Sequence, residues 1–158
     1  MEYKQLPHAD EGTEYAQRVV RGEVYVTTGL FPLGSERHQG EQLLRCPTLV
    51  LDFDLADWLQ VSKPELYEMG REEIDIHLVD LQETIELVVE QVAGVKPSAV
   101  VMSGYGFHVY LWTACGGHDP AYAKDVNRWL AGAINETVGF GMADINATDA
   151  GTRILRPP

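Results

Sequence analysis

Two carboxylates, Asp52 and Asp54, stand two residues apart in the run Thr48-Leu-Val-Leu-Asp-Phe-Asp-Leu55, which is otherwise aliphatic and β-branched. Strand side chains alternate faces with a period of two, so both acids leave the same face, while Val50, Phe53 and Leu55 help supply core. Anions held side by side repel unless a cation or a shared proton lies between them, and hard oxygen ligands on a rigid strand suit Mg²⁺ or Mn²⁺. A strand end with solvated acids is the plain alternative. A second constellation is Ser103-Gly-Tyr-Gly-Phe-His108. Gly104 and Gly106 permit backbone approaches that a Cβ would block, so this turn can offer Ser103 and its amides to a nucleotide's phosphates. His108, just beyond, can donate to a phosphate oxygen or balance charge on a leaving pyrophosphate. Its plain alternative is a tight hairpin with a satisfied histidine. Near the C-terminus Asp144, or equally Asp149, offers a third carboxylate, and Arg153 and Arg156 offer planar forks suited to phosphate. Each of the two acids can instead be a turn-former or helix cap.

The elements that must carry these residues follow from periodicity and punctuation. A short amphipathic helix is expected from Thr13 to Arg21, a strand over Val24 to Thr28, and a loop over Gly29 to Gly40. The acidic strand spans about Thr48 to Leu55, and a polar connection containing Ser62, Lys63 and Pro64 follows. Ile74, Leu78, Leu81, Ile85, Val88 and Val92 recur at three and four, predicting a core-packing helix from roughly Glu72 to Val92, stopped by Gly94. Ser98 to Met102 and Phe107 to Trp112 read as strands joined by a hairpin turn at Ser103 to Gly106. Asp119 is a natural N-cap with Pro120 at the first helical position, and Ala123, Val126, Leu130, Ala133 and Ile134 give that helix an apolar face. Thr152 to Arg156 resembles a last strand. The order is mixed α/β (α+β), with an at least partly antiparallel sheet and flanking helices.

Composition bounds the function classes. The chain has 158 residues, 45% hydrophobic and 23% charged, as expected of one soluble domain. No apolar run approaches the ~20 residues needed to span a membrane, and Met1-Glu-Tyr-Lys-Gln lacks a secretory signal, so a cytoplasmic location is expected. Cys46 and Cys115 are distant and belong to no Cys-x-x-Cys pair, which speaks against a disulfide framework or zinc ribbon. The formal charge of -12 argues against nonspecific duplex binding, which needs a basic footprint. It leaves room for a site whose bound divalent cations invert the local sign. The Gly-x-Gly of the turn lacks the third glycine of a dinucleotide fingerprint and precedes a strand rather than a helix. Neither a Walker loop, a His-Glu-x-x-His zinc motif nor a Gly-x-Ser-x-Gly elbow is present.

Leu-Asp-Phe-Asp at 51 to 54, Ser-Gly-Tyr-Gly-Phe-His-Val-Tyr at 103 to 110 and Asp-Ile-Asn-Ala-Thr-Asp-Ala-Gly-Thr-Arg-Ile-Leu-Arg-Pro at 144 to 157 together resemble the archaeo-eukaryotic primase superfamily. The likeness is to the primase-polymerase (prim-pol) domains of phage and plasmid replication proteins. It implies an RNA-recognition-like, largely antiparallel sheet with flanking helices. It implies that 1 to 158 form one catalytic domain, excised from a larger replication protein or a minimal version of one. It also implies two Mg²⁺ or Mn²⁺ ions held by Asp52, Asp54 and Asp144, with Asp149 as the alternate. His108, Ser103, Gly104, Gly106 and Arg153 would contact the incoming nucleotide triphosphate. The expected activity is template-dependent nucleotidyl transfer onto a 3′-hydroxyl, with single-stranded DNA template and primer as partners and a fused or associated helicase or accessory domain. Two rivals use the same residues. A metal-dependent nuclease or phosphodiesterase would substitute water as nucleophile, and a non-catalytic single-strand-binding module would stack bases on Tyr105 and Phe107.

Overall fold

A computed structural model describes residues 44–113 and 117–147. The helix, strand and loop expected between Thr13 and Gly40, the terminal strand near Thr152 to Arg156, and Cys115, Asp149, Arg153 and Arg156 lie outside these residues.

The acidic segment forms strand β1, Thr48–Asp54. The chain passes directly into a short helix α1, Leu55–Leu59, because the Asp54 side chain accepts a hydrogen bond from the Ala56 N–H and caps the helix start. A second short helix α2, Lys63–Glu68, occupies the segment expected as a polar connection. Ser62 and Glu65 close a reciprocal capping box at its start, and Pro64 sits in its first turn, where a missing N–H costs nothing.

Helix α3, Arg71–Ala93, matches the expected span to within a residue at each end. Ile74, Leu78, Leu81, Ile85 and Val88 are buried on its inner side, with Val89 and a partly buried Val92. Gly94 terminates it in the left-handed conformation, at φ 70°. Strands β2, Ala99–Met102, and β3, Gly106–Trp112, form the hairpin. Helix α4, Pro120–Val138, starts as expected on Asp119, whose carboxylate accepts from Ala121 and Tyr122 N–H.

The three strands form an antiparallel sheet in the order β1-β3-β2. Alternation divides its two faces. Leu49, Leu51 and Phe53 of β1 and Phe107, Val109 and Leu111 of β3 join the inner residues of α3 and α4 in one core. Val50, Asp52 and Asp54 share the opposite face with Gly106, His108 and Tyr110. Val50 is buried, but it belongs to the carboxylate face, where it packs with Tyr110 beside Ala99 and Val101. Phe107 is only 2% exposed and part of the main core, which removes it as a base-stacking residue.

Candidate acidic site on the sheet face

The register of β1 on β3 sets Asp52 directly opposite His108. β3 is the central strand, so His108 sits between Asp52 on one side and Val101 on the other. His108 Nε2 lies 3.6 Å from Asp52 Oδ1, with side-chain exposures of 13% and 20%. That distance suits an ion pair with a protonated imidazole and is too long for a hydrogen bond.

The hairpin is pinned to the carboxyl end of β1. Gly106 pairs with Asp54, and a Cβ on Gly106 would run into the Phe53 carbonyl oxygen, so only glycine lets the strands approach this closely. Gly104 adopts φ 114° in the connection Ser103-Gly104-Tyr105 between β2 and β3, a backbone conformation that favours glycine. The Ser103 N–H donates to the Gly106 carbonyl, and the Leu55 N–H donates to the Tyr105 carbonyl. Ser103 therefore has its hydroxyl, and not its amide, to offer an anion.

Asp144 arrives from the other side of β1. Its N–H donates to the Asp52 carbonyl at 2.9 Å, beside an isolated bridge between Phe53 and Ala143. Asn135 of α4 fixes that approach. Its Oδ1 accepts from the Met142 and Ala143 N–H groups, and its Nδ2 donates to the Ala143 carbonyl. Eight residues earlier on the same helix, the buried Asn127 donates from Nδ2 to the Val50 carbonyl. Asn127 thus helps satisfy the edge of β1 and Asn135 helps deliver Asp144 to Asp52, roles that α4's apolar periodicity conceals.

The carboxylates are brought to one end of the sheet, but not onto a common point. Among the described residues no three His, Cys, Asp or Glu side chains converge as a metal-holding group. Asp54 is engaged twice, by the α1 cap and by Lys63, whose Nζ lies 2.9 Å from Oδ2. Asp144 accepts from the Asn146 N–H through Oδ1, the turn-forming role open to it in the sequence. Asp57 on α1 enlarges the cluster. Burial pushes its carboxyl above the ordinary value; Asp54, Asp144 and Asp52 push the same way, and Lys63 opposes them. Its neighbours mark a concentration of negative charge that one lysine offsets. Lys63 is in turn raised by its hydrogen bond and charge attraction to Asp54. The signal for Lys63 is visible in the sequence as Ser62-x-x-Glu65, a helix start that orients the intervening residues. Asp57 has no comparable signal, because a five-residue helix is too short to show a period.

No protein-family model, curated protein or solved structure matches this chain. Among the described residues no helix is long and apolar enough to cross a membrane.

Proposed function

We propose that this chain is a template-dependent nucleotidyltransferase core of the archaeo-eukaryotic primase type, serving a phage or plasmid replication protein. The observation that carries the reading is the pairing of Asp52 with His108 across β1 and β3, with Asp144 hydrogen-bonded to the Asp52 backbone. Three motifs far apart in the chain supply one sheet face with carboxylates, an imidazole and a glycine turn.

The donor set fits Mg²⁺ or Mn²⁺ in kind. Asp52, Asp54 and Asp144 are hard oxygen donors of the kind these ions take. In the proposed enzyme these three would hold the ions, with Asp54 exchanging its Lys63 partner for a cation. Divalent ions held there would supply acidification of a 3′-hydroxyl and neutralisation of a triphosphate. The remaining work falls to the chain. His108 and the Ser103 hydroxyl, with the amides of Gly104 to Gly106, orient the phosphates and meet charge moving onto the leaving pyrophosphate. Arg153 adds a planar donor in the same role.

The test is incubation of the full chain with a labelled primer on a single-stranded template, dNTPs or NTPs, and Mn²⁺. Lengthening of the primer is the expected result. Shortening would instead identify a nuclease using water as nucleophile, and neither change, with the protein folded, would overturn the reading.

A further inference from the structure

We propose that Tyr67 and Tyr105 form a stacking platform for an unpaired nucleobase beside the acidic site. The inference rests on the nucleotidyltransferase reading for the identity of its ligand, and it adds a binding subsite to that reading.

The two rings come from different elements. Tyr105 sits in the β2–β3 connection and Tyr67 on α2, with ring centroids 5.1 Å apart and planes inclined at 54°. Tyr67 is 60% exposed and Tyr105 45%, so the pair meets solvent and is not core. Its position relative to the carboxylates is fixed on both sides. The Tyr105 carbonyl accepts from the Leu55 N–H, one residue beyond Asp54. On α2, Lys63 and Tyr67 are four residues apart and share a helix face, and Lys63 reaches Asp54 while Tyr67 reaches Tyr105. A nucleotide whose base lies on the rings therefore has the Lys63 ammonium alongside for a phosphate.

Chemistry selects the occupant. Aromatic rings stack with any base, because every base presents a π-face, and this attraction requires no positive surface. A net charge of -12 disfavours drawing in a strand by overall electrostatic attraction. Stacking adds a charge-independent contribution beside the phosphate contacts and any bound divalent cation. The base belongs either to an incoming nucleotide or to a single strand, and the experiment separates these sources.

Affinity is measured in Mn²⁺ for the full chain against labelled oligothymidylate by anisotropy, and against a dNTP by calorimetry. Wild type is compared with Tyr67→Ala and Tyr105→Ala, with the Phe variants, which keep the ring, and with the Leu variants, which keep apolar packing without it. The Ala and Leu variants are expected to bind roughly tenfold or more weakly, and the Phe variants nearly as wild type. Weakening toward the oligonucleotide alone places the base in a strand, and weakening toward the dNTP alone places it on the incoming nucleotide. Unchanged affinity for both in a folded Ala or Leu variant overturns the proposal, as does failure of wild type to bind either probe. Primer extension run in parallel separates the two claims. Ring-dependent binding without extension leaves the platform and removes the polymerase, and extension with ring-independent binding does the reverse.

Discussion

Asp54 ends the acidic strand, caps α1 through Oδ1 and holds Lys63 through Oδ2. Its structural and its proposed chemical roles can be separated by substitution. Asp54→Ala removes the cap and is expected to cost about 1 kcal/mol of stability. Asparagine caps as well as aspartate, so Asp54→Asn should melt close to wild type while losing metal-dependent activity, measured by thermal denaturation and primer extension. Asp57 gives a pH-dependent outcome. Its folded-state pKa is raised above the ordinary 3.8, so the fold binds that proton more tightly than the unfolded chain does. Its contribution to stability is fully present below about 3.8 and is lost as pH rises through the folded value. Asp57→Asn should therefore raise the melting temperature at pH 7 relative to wild type, with the advantage shrinking as pH falls toward 3.8. An advantage independent of pH would show that neither burial nor the neighbouring carboxylates raise the Asp57 carboxyl.

At the scale of elements, the site depends on two close approaches to β1. Gly106→Ala would drive a methyl group into the Phe53 carbonyl, so it should destabilise the chain by about 1–3 kcal/mol in denaturant titration. Asn135→Ala takes the acceptor from the Ala143 amide, while the Met142 N–H keeps its bond to the Phe140 carbonyl, and should cost about 1–3 kcal/mol. If Asn135 positions Asp144, the remaining folded Asn135→Ala protein should also require more Mn²⁺ for half-maximal extension. The elements that follow from sequence are those whose signals are local: α3 shows its three-and-four apolar recurrence, α4 its Asp119-Pro120 start, and the hairpin its paired glycines. Hidden elements are short or depend on distant partners. Leu55–Leu59 continues an apolar strand without a break, and Asp54 gives no sign in sequence that it is a cap as well as a candidate ligand. The Ser62-x-x-Glu65 box is legible, but a six-residue helix adds no periodicity to it. That β1 pairs with β3 and not β2 is a long-range outcome, and it is this pairing that puts His108 opposite Asp52. Alternation does place Asp52 and Asp54 on one face, as the sequence implies, but their contacts with Ala56, Lys63 and His108 depend on how the chain folds back beyond Asp54, and of these only Lys63 has a local signal, in Ser62-x-x-Glu65.

For the molecule as a whole, a charge of -12 surrounds a site proposed to take polyanions. Divalent cations should therefore control binding more than monovalent salt does, since few basic residues are present to release counterions. Oligonucleotide affinity is expected to rise steeply with Mn²⁺ and to be nearly lost in chelator, measured by anisotropy at fixed ionic strength. Equal affinity in chelator would mean that a basic surface carries the binding. The most direct measurement of the central claim is primer extension by the double variant Asp52→Ala, Asp54→Ala, with its fold verified by circular dichroism, beside wild type in Mn²⁺. Wild type should extend the primer and the variant should give nothing above background, whereas substantial extension by the folded variant would contradict a catalytic role for Asp52 and Asp54.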